Sequence, residues 1–187
     1  MTVNVLNLQA GPVDVFEAPV GTVEPTEADN LASVVLNAAW RDCGGTNGGT
    51  KLVISQKFGE VEADQTVDLL ASLAAQRRVT AELSLLETTL TNIKMVNNGG
   101  NIVTGVNTDR YDPVNNTVST PPTYRAILTR GVSAITGKPS ILVLRRVLVT
   151  SDVSFSYMKD GATMLGVTYT SHYVSGSIGP FVFLQGH

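Results

Sequence analysis

Lys51-Leu-Val-Ile-Ser-Gln-Lys-Phe58 and Arg77-Arg-Val-Thr-Ala-Glu-Leu83, with Leu85 to Asn97 directly behind the second, decide how this chain folds. The first run is rich in apolar and β-branched residues. The second alternates Val79, Ala81 and Leu83 with Arg78, Thr80 and Glu82. Alternation with a period of two predicts a half-buried strand. Behind it, Ser84 and Glu87 have the spacing of a capping box, and Leu86, Leu90 and Ile93 fall at i, i+4 and i+7. That pattern predicts a short helix over 85–97. Asn97-Asn98-Gly99-Gly100 follows, supplying residues that tolerate the left-handed backbone of a helix end.

Between the two strands, Glu60, Glu62 and Asp64 alternate with Val61 and Ala63. On a strand the three carboxylates share one face. A straight row rarely converges on a metal, which needs oxygens from several directions. Next-but-one neighbours meet the separation of a glycosidase pair by trivial geometry, and no accompanying signature supports one. A solvated acidic face is the plain reading. Thr66 to Ala75 is Ala- and Leu-rich and reads as a short helical turn.

On the N-terminal side, residues 1–39 form an extended arm punctuated by Pro12, Pro19 and Pro25. Val3-Asn-Val5 and Val13-Asp-Val-Phe16 read as short edge strands in it, and Leu31 to Leu36 as a strand or single helical turn. Trp40 is a core or interface anchor. Gly44-Gly-Thr-Asn-Gly-Gly49 fails as a phosphate loop: Thr50 stands where lysine is needed, and a strand follows instead of a helix. It reads as a flexible turn.

On the C-terminal side, residues 98–123 form a long loop holding Tyr111-Asp-Pro113 and Pro121-Pro122, with a short ribbon at 102–106. Strand then follows strand: Tyr124 to Arg130, Ile141 to Val149, Val153 to Tyr157, Met164 to Tyr169 and Pro180 to Leu184. Lys159-Asp160-Gly161 is a hairpin signal. Arg145-Arg146 interrupts an apolar strand, as edge gatekeepers or as partners of another subunit. Such runs suit a β-sandwich or small barrel.

The order Gly-rich turn, strand, Glu60-Val-Glu-Ala-Asp-Gln65, strand, Leu85-Leu-Glu-Thr-Thr-Leu-Thr-Asn-Ile93, Gly-Gly resembles the major tail tube proteins of long, non-contractile-tailed bacteriophages (siphophages). The proline-punctuated arm, Trp40 and the β-rich C-terminal half fit the same family. The resemblance implies a structural virion protein whose homohexameric rings stack into a hollow tube that conducts DNA. It implies assembly around a tape measure protein from distal tail or baseplate proteins, closed by a tail terminator, in the host cytoplasm. It further implies that the arm crosses onto neighbouring subunits, and that the row Glu60, Glu62, Asp64 lies at or near the bore or between rings. Trp40, Tyr111, Arg145 and Arg146 are then candidate subunit-interface residues.

Composition narrows the alternatives. The 187 residues suit one domain, 1–187. Charged residues are 16% against roughly 25% in ordinary domains, and mean hydropathy is +0.13. Such a chain has an unusually large core or much surface buried against other subunits, and surface-to-volume scaling favours the second. No run reaches the roughly 18 apolar residues of a membrane span, and no signal peptide is evident. Cys43 stands alone, so a disulfide framework is excluded and a reducing cytosol is expected. The formal charge of −3 lacks the basic footprint of a protein that grips DNA. His172 and His187 sit in no metal spacing, and no Gly-x-Ser-x-Gly elbow occurs. The expectation is therefore a mainly β structural subunit with one flanking helix, no cofactor, no metal and no catalytic activity. A β-sandwich carbohydrate-binding module and a capsid decoration protein are the rivals.

Overall fold

The computed structural model of the chain describes residues 13–61, 71–113, 121–153 and 163–186. Among them are ten strands and one short helix: β1 Val13–Pro19, β2 Arg41–Asp42, β3 Thr46–Val61, β4 Ala71–Leu85, α1 Leu90–Val96, β5 Asn101–Thr104, β6 Asp109–Asp112, β7 Arg125–Val132, β8 Pro139–Val149, β9 Leu165–Ser171 and β10 Phe181–Gln185. The fold is mainly β.

Eight strands form one antiparallel sheet in the order β2-β1-β7-β8-β9-β4-β3, with β10 also on β8. The two ends of this path are successive in the chain. Residues 43–45 link them: the Cys43 N–H donates to Val15 O at 2.8 Å on the β1 side, and the Leu86 N–H donates to Gly45 O at 2.9 Å on the β4 side. The Thr46 hydroxyl donates to Val13 O at 3.0 Å, completing the junction. The sheet thus curls back on itself. β9 and β10 lie end to end along one side of β8, because the His172 N–H donates to Arg146 O and the Arg145 N–H to Pro180 O. The intervening residues 173–179 make an excursion from that line.

Alternation explains the interior. Val79, Ala81, Leu83 and Leu85 of β4 and Leu165, Val167 and Tyr169 of β9 face one core with Val15, Ile127, Leu144 and Val147. On β7 and β8 the opposite face is apolar too: Ala126, Leu128, Ile141 and Val143 form a second core with Leu31 and Trp40. Strands buried on both faces read as continuous apolar runs, which is why 126–128 and 141–144 show no alternation. The second core is covered by the segment 23–40. Leu31, Val34, Leu36 and Trp40 hold that segment on the sheet, and the Trp40 indole N–H donates to Val23 O at 2.9 Å.

Several local expectations are corrected. The helix begins at Leu90, not Leu85, and its N-cap is Thr89, whose hydroxyl accepts from the Asn92 N–H. Leu85 belongs to β4, paired with both Leu165 and Thr46 and fully buried, so long-range strand pairing overrides the Ser84–Glu87 box. The inward stripe of α1 is Asn92, Met95 and Val96, while Leu90 and Ile93 are half-buried. Ala71 to Ala75 is strand, not helical turn, because it pairs with Phe58–Val61; 66–70 lie outside the described residues. Within the arm, Val13–Pro19 is an inner strand between β7 and β2, and residues 31–33 form a turn. Thr46 to Gly49 opens β3 through a bulge, with φ of +79° at Gly48 and +73° at Gly49.

The helix end follows expectation: Asn98 takes φ +56°, followed by Gly99 and Gly100 at positive φ. Asn98 also imitates a strand, donating through its amide to Val149 O and accepting from the Val149 N–H. The long loop carries the ribbon β5–β6, and 114–120 lie outside the described residues. So do Val3–Val5, nearly all of Val153–Tyr157, and Lys159–Gly161.

Candidate functional site

Strands β3 and β4 outrun the body. The neighbour β9 reaches β4 only as far as Thr80, so from Ile54 to Val61 and from Ala71 to Val79 the two strands have no other strand partner among the described residues. Eight residues of strand make a projection of about 26 Å. Its apolar side chains stand in the open: Ile54 is 46%, Phe58 56% and Leu73 64% exposed. They also lie on both faces. Phe58 pairs with Ala74 on the face of Ile54, and past the bulge at Lys57/Phe58, Gly59 pairs with Leu73 on the opposite face. A lone two-stranded ribbon is marginal in water. Apolar residues on both of its faces, and two unpaired backbone edges, leave it complementary to another protein surface.

The root of this hairpin is held by a polar network. Glu17 shares the inward parity of Val15 on β1, so a carboxylate enters the barrel interior. Arg41 donates to it at 2.7 Å and Arg125 stands at 3.2 Å; the Glu17 side chain is only 7% exposed. Arg41 also donates to Asn92 Oδ1 at 2.9 Å, and the Asn92 amide donates to Cys43 O and Glu87 O. One buried asparagine therefore ties α1, the 43–45 link and β1 together. Sequence reading missed this network. Its one visible signal was an acid on the apolar parity of β1. Beside it, burial pushes the Cys43 thiol up to about 12 and raises the Tyr169 phenol well above its ordinary value. The Tyr169 hydroxyl has no hydrogen-bond partner among the described residues.

The residues singled out in the sequence are not gathered in one place. Glu60 is exposed near the far end of β3, opposite Ser72, while Glu62 and Asp64 lie outside the described residues. Trp40 is buried in its own chain. Arg145 makes a bidentate pair with Glu24 and donates to Gly179 O, clamping the 23–40 segment to the 173–179 excursion. Arg146 lies 4.1 Å from the Tyr124 ring centroid and donates to Tyr173 O. The Tyr111 hydroxyl donates to Gly99 O at 2.8 Å, seating the β5–β6 ribbon on the helix end. Among the described residues no three His, Cys, Asp or Glu side chains converge as metal ligands, and no helix is long and apolar enough to cross a membrane.

The family described as phage tail tube protein matches residues 4–181. The chain belongs to this family. It is a structural component of a phage tail that self-assembles into a tube. No curated protein matches the chain. The span matched includes β3, β4, the helix and the sheet of this tail tube protein as far as the first residue of β10, so the projection is part of the family domain and not an appendage to it.

Proposed function

We propose that this chain, acting as one tail tube domain, closes into homohexameric rings that stack into the tube of a siphophage tail, a conduit for DNA. Ring closure is a head-to-tail contact repeated by rotation, and stacking extends it into a filament. The observation that carries this reading is the β3–β4 hairpin, with apolar side chains exposed on both faces and both edges open. A neighbouring subunit is the partner that can cover both faces and pair both edges at once. Glu60 travels with the hairpin to that junction, which puts the row Glu60, Glu62, Asp64 at a subunit contact. The subunit works mechanically, without a catalytic step or cofactor. It polymerises around a tape measure protein, starts from distal tail proteins, ends at a terminator, and assembles in the host cytoplasm.

Negative-stain microscopy of the purified protein over a concentration series, beside light scattering, tests this. Hollow six-fold rings or tubes are expected, more abundant when a tail-tip initiator is added. Subunits that stay monomeric or form trimers under both conditions refute it, and leave a binding module or a decoration protein to be examined with a glycan screen and with capsids.

A further inference from the structure

A tube wall has an inner and an outer side, and the curled sheet offers two outward faces of opposite character. The outward face of β7 and β8 is apolar and already covered by the segment 23–40, through Leu31, Val34, Leu36 and Trp40. The outward face of β3, β4 and β9 is bare. It carries Thr168 and Thr170 on β9, Thr80, Glu82 and Ser84 on β4, and Lys51 and Val53 on β3, with Gly166 opposite Ser84. These residues form cross-strand rows: Lys51, Glu82 and Thr168 make one, and Val53, Thr80 and Thr170 the next. Its charges are matched, since Lys51 donates to Glu82 at 3.1 Å, and Asp152 stands at the rim of the groove. Thr150 and Thr170 share a hydroxyl hydrogen bond of 2.6 Å at its margin. A shallow open groove of about 480 Å³ runs across it, from Asn47–Lys51 past Ser84 to Gly166–Thr168.

Resting on the tail-tube reading, we infer that this hydroxyl-lined, nearly charge-balanced face of β3–β4–β9 is the wall of the bore. A conduit for a polyanion must not hold it. Unpaired cations would neutralise phosphates, release counterions and retain the strand, and exposed aromatic rings would stack on any unpaired base. These rows carry no aromatic residue, and Lys51, their one cation, is paired with Glu82. Small hydroxyl side chains satisfy themselves and water, so the passing molecule meets a wetted surface. The face can also be continuous around a ring: its edge strand β3 has β4 as its only strand partner among the described residues, leaving a backbone edge for the next subunit. The acidic row then lies at a junction and not on the wall. Non-adhesion here comes from neutrality, and net repulsion is not needed.

Thiol accessibility in assembled tubes tests the assignment. The native Cys43 is buried and inert, so single introduced cysteines report alone. Thr168→Cys and Ser84→Cys probe the face, and Val35→Cys, 91% exposed on the covering segment, marks the outer side. In free subunits all three should react with N-ethylmaleimide and with a long polyethylene-glycol maleimide. In tubes, Thr168→Cys and Ser84→Cys should keep reacting with the small reagent and slow by at least an order of magnitude toward the polymer, while Val35→Cys keeps both rates. Polymer labelling of either face cysteine as fast as Val35→Cys overturns the inference by placing the face outside. Loss of the small-reagent reaction also overturns it, by burying the face in a subunit contact. In both cases the tubes themselves stand. Failure of the unsubstituted protein to form tubes, with or without an initiator, removes the tail-tube reading and this inference together.

Discussion

Phe58→Ser tests whether the hairpin is an assembly element or merely a surface ribbon. Phe58 is 56% exposed, so of the roughly 150–250 Å² that an aromatic side chain can bury, about 100 Å² remains for a partner. At about 25 cal/mol per Å², covering it contributes roughly 2.5 kcal/mol, and serine keeps about a fifth of that area, leaving a loss of about 2 kcal/mol. Each 1.4 kcal/mol is tenfold, so the critical concentration for tube growth should rise about 30-fold. The subunit itself should barely notice, because the ring is opposite only Ala74 on an exposed ribbon. Sedimentation of seeded tubes gives the critical concentration, and thermal unfolding of dilute subunits gives the stability. Leu73→Ser, 64% exposed on the other face, is the companion. If both raise the critical concentration, the hairpin is covered on both sides. A critical concentration within about threefold of the parent for both variants, with a lowered melting temperature, would refute the reasoning: the side chains would then be supporting the ribbon, not a junction.

The polar network and the core make further predictions. Asn92→Ala removes three hydrogen bonds and leaves two carbonyls unmatched, for a loss of about 3 kcal/mol, read as a fall of about 6–12 °C in melting temperature. Tyr169→Phe deletes a buried hydroxyl that has no partner among the described residues, so urea denaturation should show no loss, or a gain of up to about 1 kcal/mol, where a paired tyrosine would lose a similar amount. Cys43 should be silent to Ellman's reagent in the folded protein. Its thiol is raised from 9.0 to about 12, so its contribution is whole below pH 9 and drains away as pH rises toward 12, where the unfolded chain ionises first. Cys43→Val should flatten that alkaline decline in a pH series of melting temperatures. Gly100→Ala should destabilise by more than about 1 kcal/mol, because φ is +111° and a Cβ would stand 2.5 Å from Tyr111 Cε2 and 2.8 Å from Asp112 O.

The sheet was largely legible in the sequence, and the reason is local. β4, β8 and β9 announce themselves because burial on one face writes period two and burial on both writes an apolar run. The helix start was not legible. Ser84 and Glu87 satisfy every local rule for a cap, yet Leu85 is claimed by partners 39 residues back and 80 residues on, which no window can see. Ala71–Ala75 misled in the same way: an Ala- and Leu-rich run prefers helix in isolation, and only pairing with Phe58–Val61 makes it strand. β1 was read as a peripheral edge because prolines flank it, although Pro19 tolerates its place by ending the strand. The Glu17–Arg41–Arg125 group joins residues far apart in the chain, so only the misplaced acid on β1 hinted at it.

The low charge of the chain posed two explanations, a large core or surfaces buried against other subunits, and composition alone could not divide them. The fold shows that part of the apolar excess goes inward: β1, β7 and β8 are covered on both faces, one by the barrel interior and one by the 23–40 segment, so a single sheet takes two layers of apolar side chains. That use is complete within one chain and asks for no partner. Part of the remainder sits on Ile54, Phe58, Val61 and Leu73, which no other strand covers among the described residues, because β9 pairs with β4 only as far as Thr80 and the ribbon continues past it. A ribbon of that length with apolar residues on both faces has the composition of an interior and the position of a surface. In the proposed assembly a neighbour reconciles the two and offers its own ribbon in turn, which turns one contact into a filament.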